Sequence, residues 1–144
     1  MCWFAAVVSL LLLTHMAHAD EYLGNLSSNP YAPNSTANPF GAGSPFGADS
    51  VTNPYGRFGS PFSNQSSTNP FATNAPTLFD SQGNYRGRLS SNPYDPGSVS
   101  NRFGRYGSSF SPDSINNRFG AGSPYSPDSP ANPYGEGLRI FGDE

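Results

Sequence analysis

The sequence predicts a mostly irregular fold with few short β-strands, organised as an internally duplicated, turn-rich repeat around an aromatic core. Asn-Pro-aromatic triplets recur along the chain, a ten-residue segment returns in altered form, and one central segment has the pattern of a β-hairpin. The alternative prediction is a largely disordered, low-complexity chain, because Gly, Pro, Ser and Asn dominate and aliphatic residues are scarce.

The N-terminal segment 1–19 has the pattern of a secretory signal peptide. An apolar run extends from Cys2 to Leu13, which is too short to cross a membrane. Ala17 and Ala19 form an Ala-His-Ala site, and signal peptidase requires small side chains at these two positions. We therefore expect cleavage after Ala19, export to the periplasm or the extracellular space, and no transmembrane anchor in residues 20–144. An uncleaved anchor and a buried helix are the alternatives.

The triplets predict turns that each present one aromatic ring. Proline fixes its own φ and keeps the preceding residue out of the helical region, while Asn bonds its own backbone as an Asx-turn. We expect these rings to form an interior ladder with Phe46, Phe62, Phe110 and Tyr125 of the Gly-Ser motifs, each ring pair adding about 0.5–1.5 kcal/mol beyond burial. The triplets begin at Asn29, Asn38, Asn53, Asn69, Asn92, Asn101, Asn117 and Asn132.

A long-range repeat divides the chain after the signal segment into two halves. The segment YLGNLSSNPY at 22–31 returns as YRGRLSSNPY at 85–94, so that Tyr22 corresponds to Tyr85. The main triplets are spaced 15 and then 16 residues apart in the first half, and 16 and then 15 in the second. Residues 20–144 are therefore predicted to form a single duplicated domain, with halves at about 22–84 and 85–144.

The central segment predicts a hairpin, and the duplication predicts a second strand pair. The runs 77–80 and 85–89 flank Ser-Gln-Gly-Asn, which is a turn signal. Their equivalents in the repeat are 138–142 near the C-terminus and 22–26 near the start of the exported chain. We expect these two ends to pair as the hairpin strands do, closing the halves around a pseudo-twofold axis.

The composition excludes most catalytic chemistry. After residue 19 the chain contains no His, Cys or Lys, so a serine nucleophile has no base and neither disulfides nor thiolate metal sites can form. The carboxylates lie outside apolar runs that would raise a pKa for acid catalysis. We therefore predict a protein that is not an enzyme and has no cofactor. A net charge of −3 provides no basic surface for nucleic acid.

Two kinds of ligand fit the repeated motifs. Asp49, Asp113 and Asp128 recur at the same place in Gly-Ala-Asp-Ser and Ser-Pro-Asp-Ser, and such oxygen-rich turns are candidate calcium ligands. The alternative is that each Asp caps a turn through its own backbone. Tyr and Phe beside Asn, Asp and Arg suit stacking on a glycan, but only if the rings point outward.

The motifs NPYG, GSPYSPDS and YRGRLSSNPYDP resemble those of a group of small bacterial exported proteins with NPYG/GSPYSPDS repeats. The resemblance covers the chain after the signal segment and implies no activity and no site residues. Arg102 and Arg118 depart from the pattern, because they replace the triplet proline. We expect a secreted or periplasmic, non-enzymatic structural or interaction protein, with self-association or a cell-surface glycan as candidate partners. The alternative is a glycan- or calcium-binding module that uses the aromatic or Asp-containing turns.

Overall fold

The computed structural model describes residues 21–143, and the predicted signal peptide lies outside this range. The described chain is mostly turns, as the sequence predicts, with short strands near the middle and at the two ends. The strands are β1 (Glu21–Leu26), β2 (Thr77–Phe79), β3 (Tyr85–Arg88) and β4 (Leu138–Gly142).

The four strands form one antiparallel sheet in the order β1-β4-β2-β3. The predicted hairpin is confirmed, because β2 pairs with β3 and Thr77 lies opposite Arg88. The predicted pairing of the two ends is also confirmed, because β1 pairs with β4 along their length. The sequence did not predict the central pairing of β2 with β4, in which Leu78 lies opposite Ile140.

Both edges of the sheet are covered by the chain that follows the edge strand. Parallel bridges join Asn25 of β1 to Ser35 and Arg88 of β3 to Ser98. The glycine before each bridging strand residue has a φ of 116° or 98°, in the region that glycine adopts without steric cost. Unpaired edge strands are templates for pairing with another chain, and here the bridges occupy that position.

Between the strands the chain follows consecutive β-turns with a period of three residues. In most of these turns a backbone N–H donates to the carbonyl three residues earlier, as from Asn117 to Ser114 (3.2 Å) and from Gly120 to Asn117 (3.1 Å). Five such turns, here termed a coil, lead from one buried serine to the next within each half. The buried serines at the ends of the coils are Ser35, Ser50, Ser66, Ser98, Ser114 and Ser129.

The longer coils contain one extra residue, because they read Gly-Arg-aromatic-Gly-Ser where the shorter coils read Gly-Ala-Gly-Ser. The Gly56 carbonyl accepts from both Gly59 N (3.3 Å) and Ser60 N (2.9 Å), so one turn holds an additional residue. The ring just before Gly59 points inward, and Phe58 is fully buried. The second half repeats the arrangement with Gly104, Tyr106, Gly107 and Ser108. This insertion explains why 15- and 16-residue spacings alternate.

The expectation of an aromatic core is wrong. The twelve rings of the triplets and Gly-Ser motifs are 85–98% exposed, while serine and asparagine lie inside the coils. A three-residue turn places its first residue inside, where only small side chains fit and where hydroxyl and amide groups can bond the surrounding backbone. These exposed rings, here termed the ring array, are Tyr31, Phe40, Phe46, Tyr55, Phe62, Phe71, Tyr94, Phe103, Phe110, Phe119, Tyr125 and Tyr134.

The hydrophobic core is mainly aliphatic and lies between the sheet and the coils. Along β4, Leu138 and Ile140 are buried while Arg139 is exposed and Phe141 half-buried, which is the alternation of a strand with one solvent face. Each fully buried side chain of this kind contributes about 1.5–3 kcal/mol. The core comprises Leu23, Val51, Phe58, Leu78, Val99, Leu138 and Ile140.

A buried carboxylate stabilises the hairpin turn. Asp80 accepts hydrogen bonds from the backbone N–H groups of Gln82 (3.0 Å) and Asn84 (2.8 Å). Its other oxygen accepts from the Arg86 guanidinium at 3.0 Å. Burial raises the pKa of Asp80, but the bonds from Asn84, Arg86 and Gln82 outweigh burial and hold the pKa below its ordinary value.

We expect the free energy of unfolding to fall as the solution is acidified below about pH 4. A carboxyl whose folded pKa is depressed stabilises the fold above its unfolded pKa, and this contribution is lost as the pH falls through the folded value. The hydrogen bond from Arg105 likewise lowers the pKa of Asp113. Burial raises the pKa of Glu21, so Glu21 has the opposite effect and favours the fold at low pH.

Urea unfolding at about pH 7 and about pH 3 tests this dependence. The Asp80→Asn variant should be less stable than the parent near pH 7 and should lose less stability on acidification. A variant that loses as much as the parent would exclude Asp80 as a source of the pH dependence.

Candidate binding surfaces

The ring array is positioned by asparagine side chains that bond only within the coils. Asn53 Oδ1 accepts from Tyr55 N at 3.0 Å, and Asn53 Nδ2 donates to Gly47 O at 2.8 Å. The first bond recurs in all eight triplets. The second recurs in every triplet except those of Asn29 and Asn92. The backbone that carries six of the twelve rings is therefore held by both polar atoms of an asparagine side chain, and the N–H groups of Phe46, Phe62, Phe110 and Tyr125 donate to a serine hydroxyl instead.

Serine hydroxyls complete the polar interior of the coils. Each of the six buried serines accepts a hydrogen bond from the N–H two residues later, as Ser114 does from Asn116 at 3.0 Å. Within residues 21–143 no buried side-chain nitrogen or oxygen lacks a partner. The coils therefore need no apolar filling, which leaves the aromatic residues free to face solvent.

The rings of the array recur at intervals of 15 or 16 residues, which is the length of one coil. Successive coils contact each other at positions one coil apart, as where Asn116 Nδ2 donates to Val99 O at 2.9 Å. Because the turn geometry repeats, we group the rings into four columns of three. The columns are Phe40, Tyr55 and Phe71; Tyr31, Phe46 and Phe62; Phe103, Phe119 and Tyr134; and Tyr94, Phe110 and Tyr125.

A second aromatic surface lies on the outer face of the sheet. Tyr22 and Phe141 have ring centroids 5.6 Å apart, Phe141 and Phe79 are also 5.6 Å apart, and Phe79 and Tyr85 are 6.0 Å apart. These four rings, here termed the outer-face row, cross all four strands. Tyr22 and Tyr85 at its ends are 45% and 40% exposed, so the row is accessible to a ligand.

A cleft of about 590 Å³ opens beside the Tyr22 end of this row. It lies between β1, the start of the first coil and the segment leading into β4. Tyr22 Oη donates to Asn25 Oδ1 at 2.5 Å, and Asn25 Nδ2 donates to Glu136 O at 3.0 Å. The cleft is lined by Tyr22, Asn25, Ser27, Asn29, Ala32, Pro33, Asn34, Ser35, Tyr134, Gly135, Glu136, Arg139 and Phe141.

Opposite charges meet at this cleft without forming an ion pair. The salt bridges within residues 21–143 join Arg57 to Glu21, Arg86 to Asp80 and Asp113, and Arg105 to Asp113. Arg139 and Glu136 take part in none of these. Burial raises the pKa of Tyr22, while the charge of Arg139 lowers it and that of Glu136 raises it. Both charged groups are thus close enough to influence a molecule lying against Tyr22.

The structure does not bring the three candidate calcium ligands together. Asp113 is bound by Arg86 at 3.1 Å and Arg105 at 2.7 Å. Asp128 accepts from Ser81 at 3.1 Å, and Asp49 lies beside Glu21, whose pKa it raises. In the described part of the chain, no group of three or more His, Cys, Asp or Glu residues is arranged to hold a metal ion.

Sequence reasoning missed the outer-face row. Phe141 alternates with Leu138 and Ile140 in β4, and Phe79 follows Leu78 in β2. This alternation places the aromatic side chains on the face opposite the aliphatic ones. The outer-face row could therefore have been predicted from the sequence of β2 and β4. The cleft itself had no such signal, because residues from the two ends of the chain form it.

Comparison of the chain with protein families, with curated proteins and with solved structures gave no match. Across residues 21–143, no helix has the length and apolar character needed to cross a membrane. The two aromatic surfaces are therefore interpreted from their own geometry.

Proposed function

We propose that this chain is an exported, non-enzymatic structural or interaction protein whose contact surface is the ring array. The observation that supports this function most directly is the exposure of twelve aromatic side chains at 85–98% on a hydrogen-bonded backbone. Exposed apolar surface on this scale is typical of interaction sites. Export is inferred from the signal pattern of residues 1–19.

We further propose that the two halves are copies of one unit and that each closes the other. Ser91 Oγ, at the start of the second half, donates to Ser67 O in the last coil of the first half at 2.6 Å. Ser28 Oγ, which occupies the equivalent position in the first half, donates to Pro130 O in the last coil of the second half. The antiparallel pairing of β2 with β4 at the sheet centre is consistent with a pseudo-twofold axis.

The partner that suits the ring array best is a second copy of the chain. The triplet asparagine amides bond inside the coils, so the rings have few polar side chains beside them to read hydroxyl or charged groups. Charged residues are only 12% of the chain, so electrostatic repulsion between copies is weak. Apolar contact between rings is the interaction that this surface offers.

The area of the array is sufficient for association. An aromatic side chain buries about 150–250 Å², so the six rings of one half offer about 900–1,500 Å². A stable interface needs about 800 Å² from each partner. Because the sheet edges are covered by their own bridges, association by strand addition is disfavoured. Arrays on both halves provide more than one contact per chain, which favours extended assemblies over closed dimers.

Replacing one column tests this function. The triple variant Phe40→Ser, Tyr55→Ser, Phe71→Ser should raise the dissociation constant for self-association about tenfold or more, as measured by sedimentation velocity over a concentration series. Its thermal unfolding should match the parent, since the three rings are almost fully exposed.

The matched control exchanges ring types in the same column, with Phe40→Tyr, Tyr55→Phe and Phe71→Tyr. This control should associate like the parent, because the aromatic area is retained. A parent protein that remains monomeric at the highest concentrations, or a serine variant that associates equally well, would rule out the ring array as a self-association surface.

A second candidate function is glycan binding, and the cleft on the sheet favours it. The sequence analysis placed glycan binding at the repeated turns, but six of the triplet asparagine amides there donate to backbone carbonyls within the coils. No observation in residues 21–143 favours the calcium form of this alternative.

A further inference from the structure

We infer that the cleft beside Tyr22 is a binding site for a short, uncharged saccharide. This inference rests on the second candidate function, glycan binding, and is independent of self-association because it concerns the outer face of the sheet and not the ring array. Three features support it: the shape and apolar lining of the cleft, its polar groups that form no ion pair among residues 21–143, and the different side chains at the corresponding place in the second half.

The shape and apolar lining of the cleft suit sugar rings. Its volume of about 590 Å³ lies within the usual range of about 300–1,000 Å³ for ligand sites. Tyr22 and Phe141 meet at an interplanar angle of 51°, and Tyr134 lines the cleft from the end of the last coil. Aromatic faces of this kind pack against the C–H faces of pyranose rings.

The polar lining suits hydroxyl groups. The Arg139 guanidinium is a donor, the Glu136 carboxylate is an acceptor, and the Asn34 amide offers both. The bonds from Tyr22 to Asn25 and from Asn25 to Glu136 O fix one wall in advance, which lowers the entropic cost of binding. Because the cleft carries one charge of each sign, it favours a ligand with no net charge.

The corresponding place in the second half is filled. Arg88 stands where the first half has Asn25, and its Nη1 donates to Ala75 O at 2.8 Å. The cavity of about 160 Å³ that Arg88 lines is shared with Phe141 and Asp143 and not with Tyr85 or Gly97. The Tyr85 hydroxyl also crowds Gly97, where an added Cβ would lie 3.0 Å from it. The short amide of Asn25 is therefore what leaves the first-half cleft open.

Other ligand classes fit less well. A peptide that adds as a strand would need a free strand edge, and each edge already carries a bridge to its own chain. A lipid chain would need an apolar lining, whereas amides and two charged groups line this cleft. Nucleic acid would need several cations to contact its phosphates, and the cleft contains the single guanidinium of Arg139.

Exchanging the two diverged residues tests the inference. Titration calorimetry and amide NMR spectra would be recorded with two neutral probes, the β-1,4-linked trisaccharides of glucose and of N-acetylglucosamine. We expect one probe to bind at a single site, with shifts at Tyr22, Asn25 and Phe141. Asn25→Arg should weaken binding at least about tenfold. Arg88→Asn is the matched control at the equivalent position and should bind like the parent, because Arg88 does not line the cleft.

Two further variants keep the test decisive. If Asn25→Arg alters the circular dichroism spectrum, the exposed Arg139→Ala replaces it and should also weaken binding at least about tenfold. The column variant Phe40→Ser, Tyr55→Ser, Phe71→Ser should bind the saccharide like the parent. Loss of self-association in this variant therefore does not count against saccharide binding, and loss of saccharide binding in Asn25→Arg does not count against self-association.

Absence of saturable binding with both trisaccharides would overturn the inference. Shifts confined to the ring array, or full affinity in folded Asn25→Arg and Arg139→Ala variants, would overturn it as well.

Discussion

Replacing Gly107 by alanine should destabilise the protein by about 3 kcal/mol or more. An alanine Cβ at this position would lie 2.1 Å from Asn101 O and 2.7 Å from Asn101 C. Because both contacts are backbone atoms, no side-chain rotation can relieve them. Gly107 lies in the enlarged turn of a longer coil, next to the ring of Tyr106 that packs against the core.

Gly47→Ala is the matched control for this substitution. Its Cβ would meet nothing closer than Ser50 Cβ at 3.5 Å, which is an ordinary contact. This variant should stay within about 1 kcal/mol of the parent and can gain stability, since alanine restricts the unfolded chain. Both free energies come from urea unfolding. Equal losses for the two variants would mean that the close approach at Gly107 does not occur.

Replacing Asn53 by aspartate should cost about 2 kcal/mol or more at neutral pH. Asn53 is buried, and its Nδ2 donates to Gly47 O at 2.8 Å. Aspartate retains the oxygen that accepts from Tyr55 N but places a second negative oxygen against the Gly47 carbonyl. The loss should shrink as the pH falls, because a protonated carboxyl can donate to that carbonyl.

Asn92→Asp is the control that isolates the lost donor. Asn92 Oδ1 accepts from Tyr94 N at 2.9 Å, but in the described residues its Nδ2 makes no bond to a carbonyl. We therefore expect a change within about 0.5 kcal/mol. Urea unfolding of both variants near pH 7 and pH 4 measures the difference. A large loss of stability in Asn92→Asp would show that the bond from Nδ2 to a carbonyl inside the coil is not the cause of the loss at Asn53.

The interior hydrogen bonds also bear on the proposed function. A ring on a backbone held by an Asx-turn and by a bond to the preceding turn is already close to its presented orientation. Binding through such a ring orders few additional backbone angles, which lowers the entropic cost of association. Weakening the interior bonds at Asn53 should therefore weaken self-association as well as stability.

Part of the fold could be predicted because its causes are local. The turn between β2 and β3 follows from Ser-Gln-Gly-Asn between the runs 77–80 and 85–89, and the long-range repeat transfers this pairing to the chain ends. The 15- and 16-residue spacings are also visible in the sequence. They arise from one extra residue before Ser60 and Ser108, and the hydrogen bonds show how a single turn accommodates it.

The direction of the rings could not be predicted by the same reasoning. An Asn-Pro turn defines the angle at which Tyr55 leaves the backbone, but not which side of the coil faces inward. General hydrophobicity favours burial of the rings. The coil reverses this preference, because Ser50 and Asn53 satisfy the backbone inside it and an aromatic ring would not fit there.

The cleft is the feature that depends most on tertiary structure. Asn25 lies more than a hundred positions from Glu136 and Arg139, which it meets only because β1 pairs with β4. The sequence by itself determined the turns, the long-range repeat, the strand pairs and the absence of His, Cys and Lys after residue 19. Only the tertiary structure decided which side chains face solvent and where a cleft remains, because both depend on how distant segments pack.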